Sequence, residues 1–208
     1  SEQPVFFVQA ELTLEDDLEA AFSKALENMG RIDVLINNAG AAIGENYDGT
    51  TVENWNADIS LNLTAHYILS RLVIPGMVSS GGGVITNISS VNGIQALGNP
   101  AYSAAKAGLI SFTQTLAIEY GQKGIRSNVV IPGTVETPIW RQRAKARPEV
   151  FDLVKNWYPM GRVGQPKDIA AAVAFLSADE AGFVNGASLT VDGGLTAGSF
   201  RMIKDMIE

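Results

Sequence analysis

Tyr102 and Lys106 stand four residues apart in "NPAYSAAKAGL", residues 99–109. On a helix, residues i and i+4 share a face, so the phenol and the ammonium can address one spot. An ammonium about 4 Å from a phenol is worth up to roughly 4 kcal/mol at an effective dielectric of 20. At about 1.36 kcal/mol per unit, that brings a phenol pKa of about 10 toward 7 and makes the hydroxyl a proton donor and acceptor near neutral pH. Ser103, Ala104, Ala105, Ala107 and Gly108 are small, which lets the helix pack tightly and lets a flat ligand come close. A tyrosine packed beside a snorkelling lysine gives the same pattern, so the pair alone does not assign an activity.

Composition removes several other chemistries. The sequence has no Cys, which excludes disulfides, thiolate metal sites and a cysteine nucleophile, and its lone His66 cannot assemble a histidine-rich metal site. A net charge of -7 argues against a nucleic-acid surface. The one basic run, "RQRAKAR" at residues 141–147, reads as a solvated face. With 208 residues, 46% of them hydrophobic, the chain can bury one large core, and no composition shift marks a second domain. Charged residues make up 18%, below the roughly 25% of ordinary domains, which suits a sheet covered on both faces and further burial between subunits. No apolar stretch has membrane-span length and "SEQPVFF" is not a signal-peptide start, so a soluble, cytoplasmic protein is expected.

The elements that must position the pair come from periodicity. "PVFFVQ", "IDVLIN", "GVITNIS", "RSNVVIP" and "ASLTVDG" read as five strands, apolar on both faces. Between the first two, Thr13 and Asp16 resemble a capping box, Leu18, Phe22, Leu26 and Met29 make one face, and Gly30 ends the helix. Further helices are predicted over residues 52–74, 100–120 and 166–177. Alternating strands and helices mean an α/β fold: a doubly wound parallel sheet with helices on both faces and a ligand at the carboxyl ends of the strands. "NNAG", "SS" and "PGTVETP" each follow a strand at that end.

Taken together, "NNAG" at 37–40, "NISS" at 87–90, "YSAAK" at 102–106, "PGTVETP" at 132–138 and "VDGG" at 191–194 resemble the short-chain dehydrogenase/reductase family, in the family's order and over nearly the whole chain. The resemblance implies a Rossmann-like fold, NAD or NADP as cofactor, and hydride transfer that interconverts a secondary alcohol and a ketone. It implies that Tyr102 is the general acid or base, and that Lys106 lowers its pKa and holds the nicotinamide ribose. Ser90 would hydrogen-bond the substrate oxygen, and Asn62 would hold a water that relays protons to the lysine. Tyr102 lies 12 residues beyond Ser90 and 13 beyond Ser89. The "SSVNG" context favours Ser90, with Ser89 as the alternative.

For the cofactor, the resemblance implies Asn38, Ala39 and Gly40 beside the adenine-side ribose, and Pro132, Gly133, Val135 and Thr137 at the nicotinamide, with Thr137 on its carboxamide. Glu11 and Leu12 stand where the family usually has Asp-Val or Asp-Leu beside the adenine. Residues 139–162 correspond to the variable substrate lid, where Trp140, Trp157 and Tyr158 either line a pocket or pack. The family's opening strand, "TGxxxGxG" turn, helix and second strand have no counterpart in this sequence, so the domain is expected to be N-terminally incomplete. "SGGGV" at 80–84 precedes a strand and reads as a plain loop. Two functions follow as alternatives: an oxidoreductase acting on a small alcohol or carbonyl substrate, expected as a homotetramer, or an inactive remnant serving as a subunit or binding module.

Overall fold

The structure, a computed structural model, describes residues 4–44 and 46–207, with the Arg143 side chain outside the described set. Four strands form one parallel sheet in the order β1 (Val34–Asn37), β2 (Gly83–Ile88), β3 (Ile125–Pro132) and β4 (Ser188–Val191). Their register sets Asn37 opposite Asn87, and Val129 opposite Ser188. Helix α1 (Glu15–Met29) precedes β1; α2 (Val52–Ile59) and α3 (Ala65–Ser79) connect β1 to β2; α4 (Pro100–Tyr120) connects β2 to β3. Between β3 and β4 lie α5 (Pro138–Ala146), α6 (Val150–Lys155) and α7 (Pro166–Ser177), and α8 (Phe200–Ile207) follows β4.

Alternation along each strand feeds two apolar layers. Ile85 and Ile125 pack with Val73, Ile74 and Met77 of α3 and Leu116 of α4. Ile88 and Val130 point the other way, onto Leu176, Ile169 and Val173 of α7. Helices therefore cover both faces, and the chain folds as an α/β Rossmann-like domain. All four strands run the same way, so residues 38–40, 89–90, 133–137 and 192–194 gather at one edge of the sheet.

Three local expectations change. "PVFFVQ" is not a strand: no described strand lies beside it to complete a ladder, and Val5 and Phe7 are exposed. The capping box of α1 does not form, because the Thr13 hydroxyl donates to Glu11 Oε1 at 2.7 Å, while Leu14 takes the N-cap position with no side-chain bond. Gly30 does end the helix, at φ 72°. The single helix expected over 52–74 is two helices running to Ser79, joined by a π-helical turn at Ser60–Thr64. "SGGGV" is the turn between α3 and β2, with Gly81 at φ 86°. Among the described residues no helix is long and apolar enough to cross a membrane.

Candidate active site

Helix α4 begins where Asn99, in the left-handed region at φ 49°, turns the chain and Pro100 supplies a preset φ at the first helical position. One turn later Tyr102 and Lys106 face the carboxyl end of β2. The Lys106 ammonium is buried and donates to the Ile88 carbonyl at 2.8 Å, 5.7 Å from the centroid of the Tyr102 ring. Burial lowers the Lys106 pKa from 10.5 to about 8.

Tyr102 behaves differently from expectation. Burial raises its pKa above 10, a hydrogen bond from Ser90 works against that, and the charge of Asp58 adds to the rise. In this arrangement the shift runs opposite to the lowering expected from Lys106. The reason is physical: loss of hydration outweighs charge attraction when the ammonium is turned toward a backbone carbonyl.

The two serines after β2 separate cleanly. Ser89 is buried, and its hydroxyl donates to the Lys106 carbonyl at 2.8 Å, tying α4 to the strand end. The Ser90 hydroxyl accepts the Asn92 N–H at 3.2 Å, donates to Asn92 Oδ1 at 3.3 Å, and lies close enough to Tyr102 to work against the rise in its pKa. Gly93 allows this loop to lie on α4, since a Cβ there would come within 2.9 Å of the Lys106 carbonyl oxygen.

Asn62 sits in the π-helical turn and is fully buried. A π-helical turn inside a helix commonly marks a functional position. Its amide donates to the Ala41 carbonyl at 2.8 Å and the Asp58 carbonyl at 2.9 Å, while Oδ1 has no partner among the described residues. That oxygen faces Gly40: a Cβ on Gly40 would lie 2.7 Å from it and 3.1 Å from Lys106 Nζ. Asn38, Ala39 and Gly40 are exposed, so the loop after β1 presents open surface directly above the lysine. A cradle that a single methyl would fill, beside a buried ammonium, suits the hydroxyls of a ribose, and the residues present fit a nicotinamide nucleotide on this side.

The remaining predicted contacts are dispersed around the same edge. Pro132 ends β3, and Gly133 packs so closely on Tyr158 that a Cβ would meet its hydroxyl at 3.0 Å. Val135 bridges to Gly164, and the Thr137 N–H donates to the Val135 carbonyl at 2.7 Å, which curls 133–137 over the strand end. Glu11 lies on the surface with Oε1 taken by Thr13, whereas Leu12 packs against the cluster of Leu18, Ala65 and Ile68. In the lid segment Tyr158 is a packing residue, buried, with its hydroxyl accepting the Thr134 N–H at 2.6 Å. Trp140 stacks near Phe151, and Trp157 is half-exposed beneath Arg201 of α8. A cavity of about 230 Å³ opens beside Tyr158, Arg162, Asp168 and Asp192, lined by neither Tyr102 nor Lys106. The basic run forms part of α5, with Arg141 paired to Glu136 and Arg147 to Glu149 on the surface.

Sequence reasoning missed Asp58, His66 and Ser70 as site residues. All are buried, and with Asn62 they recur every fourth residue. Asp58 accepts the backbone N–H groups of Ile43 at 3.0 Å and Gly44 at 3.2 Å, and His66 Nε2 meets the Ala39 carbonyl at 2.9 Å. Four buried polar groups at helical spacing are a signal visible in the sequence. Asn37, Asn87 and Thr113 form a second buried chain, Asn37 Nδ2 donating to Asn87 Oδ1 at 2.8 Å and Asn87 Nδ2 to the Thr113 hydroxyl at 2.9 Å.

Comparison with known proteins places the chain in a family. Residues 1–196 match the family described as enoyl-(acyl carrier protein) reductase. An uncharacterized oxidoreductase of Schizosaccharomyces pombe is 48% identical over 200 residues, covering 96% of this chain and 78% of the relative. A crystal structure of an oxidoreductase of the short chain dehydrogenase/reductase family from Burkholderia thailandensis superposes with a TM-score of 0.85 at 50% identity, over 90% of this chain and 73% of the other. The structure of ElxO with NADP bound superposes with a TM-score of 0.88 at 28% identity, over 93% of this chain and 79% of that one.

Proposed function

The chain belongs to the short-chain dehydrogenase/reductase family, and on that premise we propose that it interconverts a secondary alcohol and a ketone with NAD or NADP. The observation that carries the reading is the meeting of three groups at the end of β2: the Tyr102 hydroxyl, the Ser90 hydroxyl close enough to hold its pKa down, and the buried Lys106 ammonium beneath the Gly40 loop.

When bound, the nicotinamide supplies hydride chemistry at the carbinol carbon. Tyr102 moves the proton, giving it to the substrate oxygen in reduction and taking it in oxidation. Burial keeps the phenol protonated at neutral pH, which suits the acid role. Ser90, beside that phenol, orients the substrate oxygen toward it. Lys106 holds the ribose and supplies the positive charge that a developing phenolate needs. Asn62 anchors the loop over Lys106, and its unpartnered Oδ1 suits a water in a proton path to the lysine. Pro132, Gly133, Val135 and Thr137 seat the ring, and Asn38, Ala39 and Gly40 line the ribose. The working form is a homotetramer.

The test is a panel of secondary alcohols and ketones assayed on the full-length protein with each cofactor, followed by nicotinamide absorbance. Turnover of at least one substrate supports the reading. Cofactor binding with no turnover across the panel would favour an inactive binding module instead.

A further inference from the structure

The end of β1 and the loop that leaves it are fastened to the continuous α2, π-turn and α3 segment by a row of buried polar groups. Ser70 accepts from Asn37 Nδ2 at 3.4 Å, His66 Nε2 meets the Ala39 carbonyl at 2.9 Å, Asn62 Nδ2 donates to the Ala41 carbonyl at 2.8 Å, and Asp58 takes the N–H groups of Ile43 and Gly44. Each step of four residues down the helix meets a point about two residues further along the loop. His66 and Asn62 therefore grip the carbonyls on either side of Gly40, the residue that lies over Lys106 Nζ. A carbonyl oxygen is only an acceptor, so His66 must donate, which requires the proton on Nε2. Its Nδ1 then carries a lone pair, and that atom has no partner among the described residues.

We propose that His66, as the neutral imidazole protonated on Nε2, is a positioning residue for the cofactor: it clamps Ala39 so that Gly40 and the ribose surface beside it stay in register with Lys106 and Asn62. The assignment rests on the oxidoreductase reading above and adds a residue and a tautomer to it. His66 is 2% exposed, and a second positive charge there would face the Lys106 ammonium. Burial and that ammonium lower its pKa to about 4, the Ala39 carbonyl opposing them, so the ring stays neutral across the working range. A neutral imidazole supplies a donor to this carbonyl without placing a charge beside Lys106, and with only two rotatable bonds to order.

His66 is the sole histidine in this sequence, and comparison with the spectrum of His66→Gln identifies its ring nitrogen signals in the full-length protein. In the full-length protein, nitrogen-detected NMR at pH 7 should show a neutral ring protonated on Nε2, still neutral at pH 5. A ring protonated on Nδ1, or one titrating near its ordinary value of about 6.5, would overturn the clamp. In parallel, cofactor affinity is measured by titration for wild type, His66→Phe and His66→Gln. Loss of one buried hydrogen bond should raise the Kd of His66→Phe about tenfold, with kcat at saturating cofactor changed less than about threefold, and His66→Gln should recover most of the affinity. Wild-type affinity in His66→Phe would overturn the proposal. If His66→Phe does not fold, His66→Gln and the ring signals decide the matter. A wild-type protein that binds neither cofactor would count against the enzyme reading, while the ring signals would still decide the clamp.

Discussion

Gly40 and Asn62 are in contact across the site: a Cβ on Gly40 would stand 2.7 Å from Asn62 Oδ1, well inside van der Waals distance. Asn62 cannot give way cheaply, because its amide is held by the Ala41 and Asp58 carbonyls. Gly40→Ala should therefore lift the loop away from Lys106, costing about 1–3 kcal/mol of stability and at least about tenfold in kcat/KM. Thermal melts and cofactor kinetics measure both. An alanine variant with wild-type kinetics would show that the loop is not held against Asn62.

Ser89 and Ser90 should part company on mutation. Ser89→Ala removes a buried bond to the Lys106 carbonyl, so stability should fall by about 1–2 kcal/mol while turnover stays within a few-fold. Ser90→Ala should leave the melt nearly unchanged and reduce turnover about a hundredfold. The reverse pattern would move the substrate-oxygen role to Ser89.

How far the site was readable follows from such cases. The family's motifs named Tyr102, Lys106, Asn62 and both serines, but a motif does not say which serine turns inward. The strand supplies that, since successive side chains alternate and Ser89 falls on the α4 side. The π-helical turn at Ser60–Thr64 escapes periodicity, because a single extra residue within one turn shifts the register too locally for a window of several turns to resolve. "PVFFVQ" has strand composition, yet a strand is a property of two partners, and composition speaks for only one. The sign of the Tyr102 shift was equally hidden, because it depends on burial and on where the ammonium points.

Lys106 makes stability pH-dependent in a direction that can be checked. Its pKa is held at about 8 when folded against 10.5, so from about 8 upward the unfolded chain keeps a proton that the folded one has lost. The cost of burying the ammonium, about 3 kcal/mol, is fully present below pH 8 and is relieved as pH rises. In Lys106→Met that cost is gone at every pH. Melts of the two proteins should thus show the difference moving in favour of wild type between about pH 8 and pH 10, while the variant loses both turnover and cofactor affinity. A difference that stays flat with pH would mean the ammonium is not buried.

Exposed apolar side chains on several elements suit the homotetramer proposed above. Ile118 on α4 is 82% exposed and Ile207 on α8 is 77% exposed in the single chain. Burying such groups between copies is favourable by roughly 25 cal/mol per Å². Light scattering at micromolar concentration should report four chains, and Ile118→Asp should shift the population toward smaller species. A monomeric wild type would contradict the assembly.

Proton transfer by Tyr102 is tested most directly by Tyr102→Phe. It removes one oxygen and leaves the ring, Lys106 and the Gly40 loop in place. Turnover with the best substrate and cofactor affinity by titration are measured side by side on the full-length protein. The expected loss in kcat is more than about a thousandfold, in line with removal of a general acid or base, with the cofactor Kd within about threefold of wild type. Retention of a tenth or more of the wild-type turnover would contradict the assignment of proton transfer to Tyr102.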